Sequence, residues 1–162
     1  MNSISASVKG WTVHEGELGL SDIGDLLASH FAEMRADSPP EACHVLPLDA
    51  LRSPAIRFFS LRDPDGALLG VGALKSLGNR QGEIKSMRTA PDALGLGVGG
   101  AILAHLVATA RAMNLTRLSL ETGNSPLFAP ANRLYQREGF KPCGPFGNYP
   151  DTPFTLFYTR TI

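Results

Sequence analysis

The sequence is poor in cysteine, has no excess of charge of either sign, and lacks long apolar runs. Its 162 residues include only Cys43 and Cys143, too few for the disulfide framework of a small secreted domain, so we expect two free thiols. Lys+Arg and Asp+Glu both number 15, which gives no bulk attraction to nucleic acid or to an anionic membrane. No stretch approaches the ~18 apolar residues of a membrane span, and Met1–Gly10 lacks the apolar core of a signal peptide. We therefore predict a cytoplasmic protein that binds neither nucleic acid nor a membrane.

Metal ligands at suitable spacing are also missing. The four histidines lie far apart in the chain, at His14, His30, His44 and His105, so we predict no metal site. The remaining composition, 43% hydrophobic and 19% charged, is that of an ordinary globular protein. A chain of this length indicates one domain spanning residues 1–162.

The first half of the chain contains short strands separated by turns, and a helix that Ser21 is expected to cap lies between the first strand and the second. The turn at 63–66 (DPDG) has Pro to preset one backbone angle and Gly to permit a positive one. Strand-like runs precede and follow it, which predicts an antiparallel meander. We predict its strands at residues 11–15, 56–61, 68–77 and 83–89.

The second half of the chain alternates helices with strands. A glycine-rich turn leads into a helix with an apolar stripe. The strand Leu115–Glu121 follows, and a second helix ends near Glu138, where Gly139 suits a helix C-terminus. Two strands, at about 141–146 and 155–160, close the chain. The predicted class is α/β with a mixed sheet.

The glycine-rich turn is the most informative segment. Pro91 ends a strand, and Gly95, Gly97, Gly99 and Gly100 then open a helix. Glycines let the backbone approach a ligand closely, and the free N–H groups at a helix N-terminus bind phosphate oxygens. The segment contains neither Gly-x-x-x-x-Gly-Lys-Ser/Thr nor Gly-x-Gly-x-x-Gly, which argues against a P-loop or a dinucleotide fold. A pyrophosphate is the expected occupant, and close packing of helix on strand without a ligand is the alternative.

Residues 94–99 (LGLGVG) resemble the acetyl-CoA motif of the GNAT superfamily of N-acetyltransferases, Gln/Arg-x-x-Gly-x-Gly/Ala. Gly97 and Gly99 match, whereas Leu94 stands where the family usually has Gln or Arg. Residues 132–140 (NRLYQREGF) resemble the family's helix that ends in Leu-Tyr-x-x-x-Gly-Phe, and 82–89 (GEIKSMRT) resemble the strand before the cofactor turn. The three segments occur in the family's order.

This resemblance implies a GNAT-like fold, in which helices flank a mixed, mostly antiparallel sheet of about six or seven strands. It implies acetyl-CoA as the acetyl donor, without a metal. Related folds often dimerise through terminal strands, which makes a homodimer a candidate assembly. The residues expected to bind the cofactor are Met87, Arg88, Thr89, Gly95, Leu96, Gly97, Val98, Gly99, Gly100, Asn132 and Tyr135.

The resemblance also implies catalytic residues. Acetyl transfer to an amine requires removal of a proton from the ammonium, whose ordinary pKa is about 10.4 for a lysine-like amine. Glu83 is the first candidate for that general base and Glu121 the second. Tyr135 matches the family's general acid, which protonates the departing thiolate, and the Met87 N–H is the expected oxyanion donor. In a regular strand Glu83, Lys85, Met87 and Thr89 would share one face.

The sequence therefore predicts an enzyme that acetylates a primary amine of a small molecule by direct attack in a ternary complex. One alternative is an acyl-CoA sensor without turnover, which the departure at Leu94 favours. Another alternative is acetylation of a protein N-terminus or lysine. His44, in the proline-rich loop before the meander, is a candidate for lining the acceptor pocket.

Overall fold

A seven-stranded sheet in the order β1-β2-β3-β4-β5-β7-β6 organises the protein. The computed structural model describes residues 9–42, 44 and 46–162. Every neighbouring pair of strands is antiparallel except β4 and β5, which confirms the predicted mostly antiparallel sheet. The strands are β1 (Thr12–Glu15), β2 (Ile56–Arg62), β3 (Leu68–Gly78), β4 (Gln81–Thr89), β5 (Arg117–Gly123), β6 (Lys141–Cys143) and β7 (Thr155–Thr161).

Three α-helices flank the sheet: α1 (Ser21–Asp37), α2 (Val98–Ala112) and α3 (Ala129–Arg137). A 3-10 turn, Pro126–Phe128, precedes α3, so the second predicted helix becomes regular only at Ala129. The prolines and the short apolar stripe of this segment suit such a late start.

The two faces of the sheet carry separate cores. On one face, α1 packs on β2 and β3 through Ile23, Leu27 and Val71. On the other face, α2 packs mainly against β3 and β4, and α3 packs beside α2. β3 lies between these layers and is buried on both faces over most of its length, which explains why it begins with a continuous apolar run, LLGVGAL.

The predicted cap of α1 is wrong. Ser21 is already helical and makes no capping hydrogen bond, and the flanking residue is Leu20. Asp22 serves the helix start instead: its Oδ1 accepts a hydrogen bond from the Ile23 N–H at 2.8 Å. The Asp22 carboxylate also pairs with Arg62 of β2, which attaches this end of α1 to the sheet.

A β-bulge in β4 divides the strand into two parts, and the alternation of side chains between the two faces of the sheet is reversed from one part to the other. Val71 pairs with Arg88 and Ala73 with Lys85, so two residues of β4, Ser86 and Met87, oppose a single residue of β3. Ser86 has a φ of 55°, a left-handed conformation that is uncommon for a residue with a side chain. An extra residue reverses the alternation of side chains beyond the bulge.

The prediction that Glu83, Lys85, Met87 and Thr89 share one face is therefore wrong. Glu83 and Lys85 lie on the α1 face, but Met87 and Thr89 lie on the α2 face. Met87 packs against the α2 core, and the Thr89 hydroxyl lies close to Gly99 of α2. Arg88 takes the α1 face instead.

The strands β4 and β5 pair only at their beginnings. Their parallel register runs from Gln81 opposite Arg117 to Ile84 opposite Leu120 and then stops. Beyond this register the two strands diverge, over Lys85–Thr89 in β4 and Glu121–Gly123 in β5. On the edges that face each other, the backbone groups of these residues do not pair across the gap. This opening in the middle of the sheet positions the candidate site.

Candidate active site

A cavity of about 160 Å³ fills the opening between β4 and β5. Its walls come from both strands, from α1 and the loop after it, and from the start of α3. The ionisable side chains in these walls are His30, His44, Glu83, Lys85, Arg88, Glu121 and Tyr135. All three predicted catalytic residues therefore line one cavity.

Glu83 lies in a buried polar cluster with Lys85 and Tyr149. Its side chain is only 4% exposed. The Tyr149 hydroxyl donates to Glu83 Oε2 at 2.5 Å, and Lys85 Nζ donates to the same oxygen at 3.1 Å. Lys85 Nζ also lies 2.5 Å from the Tyr149 hydroxyl oxygen. Two donors thus hold this carboxylate in place.

Glu121 is placed differently, at the point where β5 leaves β4. Within the described residues, no side chain hydrogen-bonds to its carboxylate. Burial raises the pKa of Glu121 to about 7; the positive charge of Lys85 lowers it and the negative charge of Glu83 raises it. A carboxylate that changes its protonation near neutral pH is suited to general base catalysis.

Tyr135 reaches the same cavity from α3. Its side chain is buried, at 7% exposure, and its ring packs edge-on against Phe140. Burial and, to a smaller extent, the negative charge of Glu121 raise the pKa of Tyr135 to about 12. The phenol is therefore protonated throughout the neutral range and available as a proton donor.

The glycine-rich turn forms a left-handed entry into α2. Gly95 and Gly97 have φ values of 78° and 88°, and Gly97 is the residue that precedes the helix. The first helical hydrogen bond runs from the Ala101 N–H to the Gly97 carbonyl. The N–H groups of Val98, Gly99 and Gly100 therefore have no partner within the helix, as a phosphate cradle requires.

The start of α2 lies so close to α3 that it leaves little space for a side chain at Gly99. A Cβ at Gly99 would lie 3.2 Å from Leu134 Cδ2 of α3. Leu94 is 68% exposed and Leu96 49%, so neither apolar side chain fills the turn. Lys9 reaches the turn from before β1 and donates to the Leu96 carbonyl.

Asn132 on α3 carries a buried acceptor without a partner. Its Nδ2 donates to the Gly123 carbonyl at 2.9 Å, which fixes the amide at the end of β5. Its Oδ1 is buried and has no hydrogen-bond partner. An unpaired buried acceptor beside the opening fits a ligand with an N–H donor, such as the pantetheine arm of acetyl-CoA.

The structure adds one residue to the site, Tyr149, and gives the side chain of another, Arg88, a place that differs from the predicted one. Tyr149, which no motif in the sequence marks, contacts Glu83. Arg88 was predicted to bind the cofactor, but its side chain lies on the α1 face, where it pairs with Glu33. His44 is near the site, as expected, with its ring 5.0 Å from that of Tyr149.

Neither a metal cluster nor a membrane span is found in the part of the chain that the structure describes. No group of three or more His, Cys, Asp or Glu side chains there could hold a metal ion. None of its helices is long and apolar enough to cross a bilayer. Cys143 is a free, exposed thiol, and Cys43 lies outside the described residues.

Comparison with known sequences agrees with this geometry. Residues 21–140 match the family model of the acetyltransferase (GNAT) family. The chain is similar to the uncharacterized N-acetyltransferase YsnE of Bacillus subtilis, with 44% identity over 137 residues, 85% of this chain and 90% of that protein.

Solved structures share the fold. A Klebsiella pneumoniae protein assigned as an acyl-CoA N-acyltransferase superposes with a TM-score of 0.76 at 25% identity, covering 93% of this chain and 97% of that one. A GNAT family acetyltransferase from Elizabethkingia anophelis, solved with acetyl-CoA bound, superposes with a TM-score of 0.69 at 20% identity. It covers 94% of this chain and 99% of that one.

Proposed function

The chain belongs to the GNAT acetyltransferase family, and from that premise we propose that it transfers an acetyl group from acetyl-CoA to a primary amine of a small molecule. The reaction is direct attack in a ternary complex. The observation that carries the proposal is that one cavity is lined by both Glu121, with a pKa of about 7, and Tyr135, with a pKa of about 12. One can accept a proton near neutral pH while the other still holds one to donate.

The proton balance follows from these two groups. The amine nitrogen forms a bond to the acetyl carbonyl carbon as the carbon–sulfur bond breaks. Glu121 takes one proton from the ammonium of the acceptor, directly or through water, which frees the nitrogen lone pair for attack. Tyr135 gives its proton to the departing sulfur, and the second proton that the nitrogen loses as the amide forms returns to Tyr135. The acetyl thioester of acetyl-CoA supplies the carbonyl and the leaving thiolate when it is bound.

Between the two candidate bases, the contacts favour Glu121. Glu83 already accepts hydrogen bonds from Lys85 and Tyr149, and a base would have to give these up or share them during proton transfer. Glu121 has its carboxylate free for the amine. We assign Glu83 to the positioning of Lys85 and to setting the pKa of Glu121.

The cofactor residues are proposed as follows. The unpaired N–H groups at the start of α2 take the pyrophosphate, and Asn132 Oδ1 accepts from the pantetheine arm. Backbone groups of Met87 and Thr89, on the diverging edge of β4, pair with that arm, and the Met87 N–H faces the acetyl oxygen. Arg88 contributes its backbone to this edge, since its side chain lies on the opposite face.

A small acceptor suits the size and walls of the cavity. The cavity has a volume of about 160 Å³. Met34 of α1, His44 and Leu46 close its α1 side, which leaves little room for a folded polypeptide chain. The exposed free thiol of Cys143 suits a reducing compartment such as the cytoplasm.

The test is a turnover assay with acetyl-CoA and a panel of primary amines, followed by CoA release and by the mass of the acetylated product. Glu121→Gln and Tyr135→Phe are expected to lose turnover about 10²-fold or more while calorimetry shows unchanged acetyl-CoA binding. Tyr158→Phe is the matched control, because Tyr158 does not line the cavity and its hydroxyl pairs with Gln136, while its ring contact with Tyr135 remains in the variant. Binding of acetyl-CoA without turnover of any amine would instead identify an acyl-CoA sensor, and turnover of peptides alone would identify a protein acetyltransferase.

A further inference from the structure

The α1 side of the cavity contains buried nitrogen atoms that the protein leaves without partners. They are His30 Nδ1, His44 Nε2 and Arg88 Nε. All three residues line the cavity between β4 and β5. Buried polar atoms are nearly always hydrogen-bonded, so three unpaired atoms on residues that line one cavity indicate that a ligand completes them.

Arg88 fixes the chemistry of that ligand. The guanidinium Nε–H is a donor and never an acceptor. One edge of the Arg88 guanidinium is already used, because its Nη2 donates to Glu33 of α1. Its Nε–H remains for an oxygen from the ligand, and a carboxylate is the oxygen group that a guanidinium binds most strongly.

His30 adds a neutral neighbour to this position. Burial and, to a smaller extent, the positive charge of Arg88 lower the pKa of His30 to about 4. The imidazole is therefore uncharged at neutral pH and offers its buried ring nitrogen to a polar ligand. It adds no second positive charge, so the Arg88 guanidinium, which is paired with Glu33 through its Nη2, is the cation at this end of the cavity.

The cavity thus has two chemically different ends. At one end lie the carboxylates of Glu83 and Glu121, where the attacking amine is deprotonated. At the other lies Arg88, five residues further along β4 and beyond the bulge that turns it to the same face. The remaining cation of the cavity wall, Lys85, is already engaged by Glu83 and Tyr149.

We propose that the acceptor is an amine that also carries a carboxylate, and that Arg88, assisted by His30, binds that carboxylate. This inference rests on the proposed function and names its substrate class. A diamine or polyamine fits poorly, because its second ammonium would face Arg88 and leave the Nε–H unpaired. An amino carboxylate satisfies both ends of the cavity at once.

The test compares matched pairs of amines that differ only in the carboxylate. Suitable pairs are L-phenylalanine with phenethylamine, L-leucine with isopentylamine, and 4-aminobutyrate with propylamine. For at least one pair, we expect wild-type kcat/KM to be about ten- to hundredfold higher for the carboxylate-bearing member, the range for a hydrogen bond to a charged group.

The variant Arg88→Met should remove this preference: within the variant, kcat/KM for the carboxylate-bearing amine should fall to about that for its decarboxylated partner, mainly through a higher KM. Arg88→Lys keeps the charge but lacks the Nε–H fork, and it should lose most of the preference while retaining the fold. Arg52→Met is the control, because Arg52 is exposed and does not line the cavity.

The outcomes separate the two proposals. Equal turnover of both members of every pair, or an equal loss on both in Arg88→Met, would overturn the carboxylate subsite and leave the acetyltransferase proposal standing. If the wild type binds acetyl-CoA but acetylates no amine of either kind, the proposed function fails and this inference fails with it.

Discussion

The Tyr149 hydroxyl donates a hydrogen bond to Glu83 Oε2 at 2.5 Å, from a residue 66 positions later in the chain. Tyr149 belongs to the segment between β6 and β7, and its ring packs against Phe146, Phe157 and His44. Burial and the neighbouring Glu83 carboxylate raise its pKa far above the ordinary value of a phenol. Tyr149 therefore acts as a permanent donor that joins this segment to the centre of the sheet.

Replacing Tyr149 with Phe tests this connection. The ring contacts remain, but Glu83 and Lys85 lose a shared partner, so we expect a loss of about 1–2 kcal/mol in unfolding free energy and a higher KM for the acceptor. Chemical denaturation and steady-state kinetics measure the two effects. Tyr158→Phe, which removes a hydroxyl bonded to Gln136, should leave the acceptor KM unchanged. An unaltered KM in Tyr149→Phe would place Tyr149 outside the acceptor site.

The charges flanking Glu121 give opposite predictions for two further variants. Lys85 lowers the pKa of Glu121 and Glu83 raises it. We expect Lys85→Met to move the acid limb of the kcat/KM profile to higher pH, and Glu83→Gln to move it to lower pH. Profiles between pH 5 and 9 measure both shifts. Shifts of the same sign in the two variants would contradict a base that lies between these charges.

The raised pKa of Glu121 also predicts how stability depends on pH. The folded value of about 7 exceeds the ordinary value of 4.5, because burial disfavours the charged form. The stability that Glu121 supports is therefore fully present below about pH 4.5 and is lost as the pH rises through 7. At pH 8.5, Glu121→Gln should be more stable than the wild type by up to about 3 kcal/mol, at ~1.4 kcal/mol per pKa unit.

Denaturant unfolding at pH 4.5 and 8.5 measures this difference. The exposed Glu138 supplies the control, because Glu138→Gln should change stability little at either pH. A Glu121→Gln variant that is no more stable than wild type at pH 8.5 would show that the carboxylate ionises there without cost.

Leu94 allows a gain-of-function test of the pyrophosphate site. The side chain is exposed and stands where the family usually has Gln or Arg, so a polar replacement does not disturb the core. We expect Leu94→Gln to lower the acetyl-CoA Kd by about three- to tenfold, the worth of one added hydrogen bond. Isothermal titration measures it, with Leu20→Gln as an exposed control distant from the turn. An unchanged or weaker affinity would remove residue 94 from the phosphate site.

Much of the site could be predicted because its residues belong to local motifs. The glycines at 95 and 97 adopt the left-handed conformations that the turn requires, and these depend on residues within a few positions of each other. Tyr135 and Asn132 lie one turn apart on a helix, so their common direction also follows from local geometry.

The parts that could not be predicted depend on tertiary structure. Nothing in the residues 82–89 (GEIKSMRT) marks Ser86 as the site of a bulge, because its positive φ is imposed by the pairing of β4 with β3 and the divergence from β5. That bulge decides which cavity wall receives Met87 and which receives Arg88. The contact of Tyr149 with Glu83 could not be predicted either, because the two residues are 66 positions apart in the chain and only the completed sheet brings them together.

The assignment of Glu121 as the general base is tested most directly by the pH dependence of kcat/KM. The wild type and Glu121→Gln are compared on one amine that the wild type acetylates. The account predicts a wild-type acid limb with an apparent pKa near 7, with the rate rising as Glu121 ionises. It predicts at least ~10²-fold lower activity in the variant, with that limb gone and acetyl-CoA affinity retained. A Glu121→Gln variant that keeps wild-type activity and the same acid limb would contradict the account and return the role of base to Glu83.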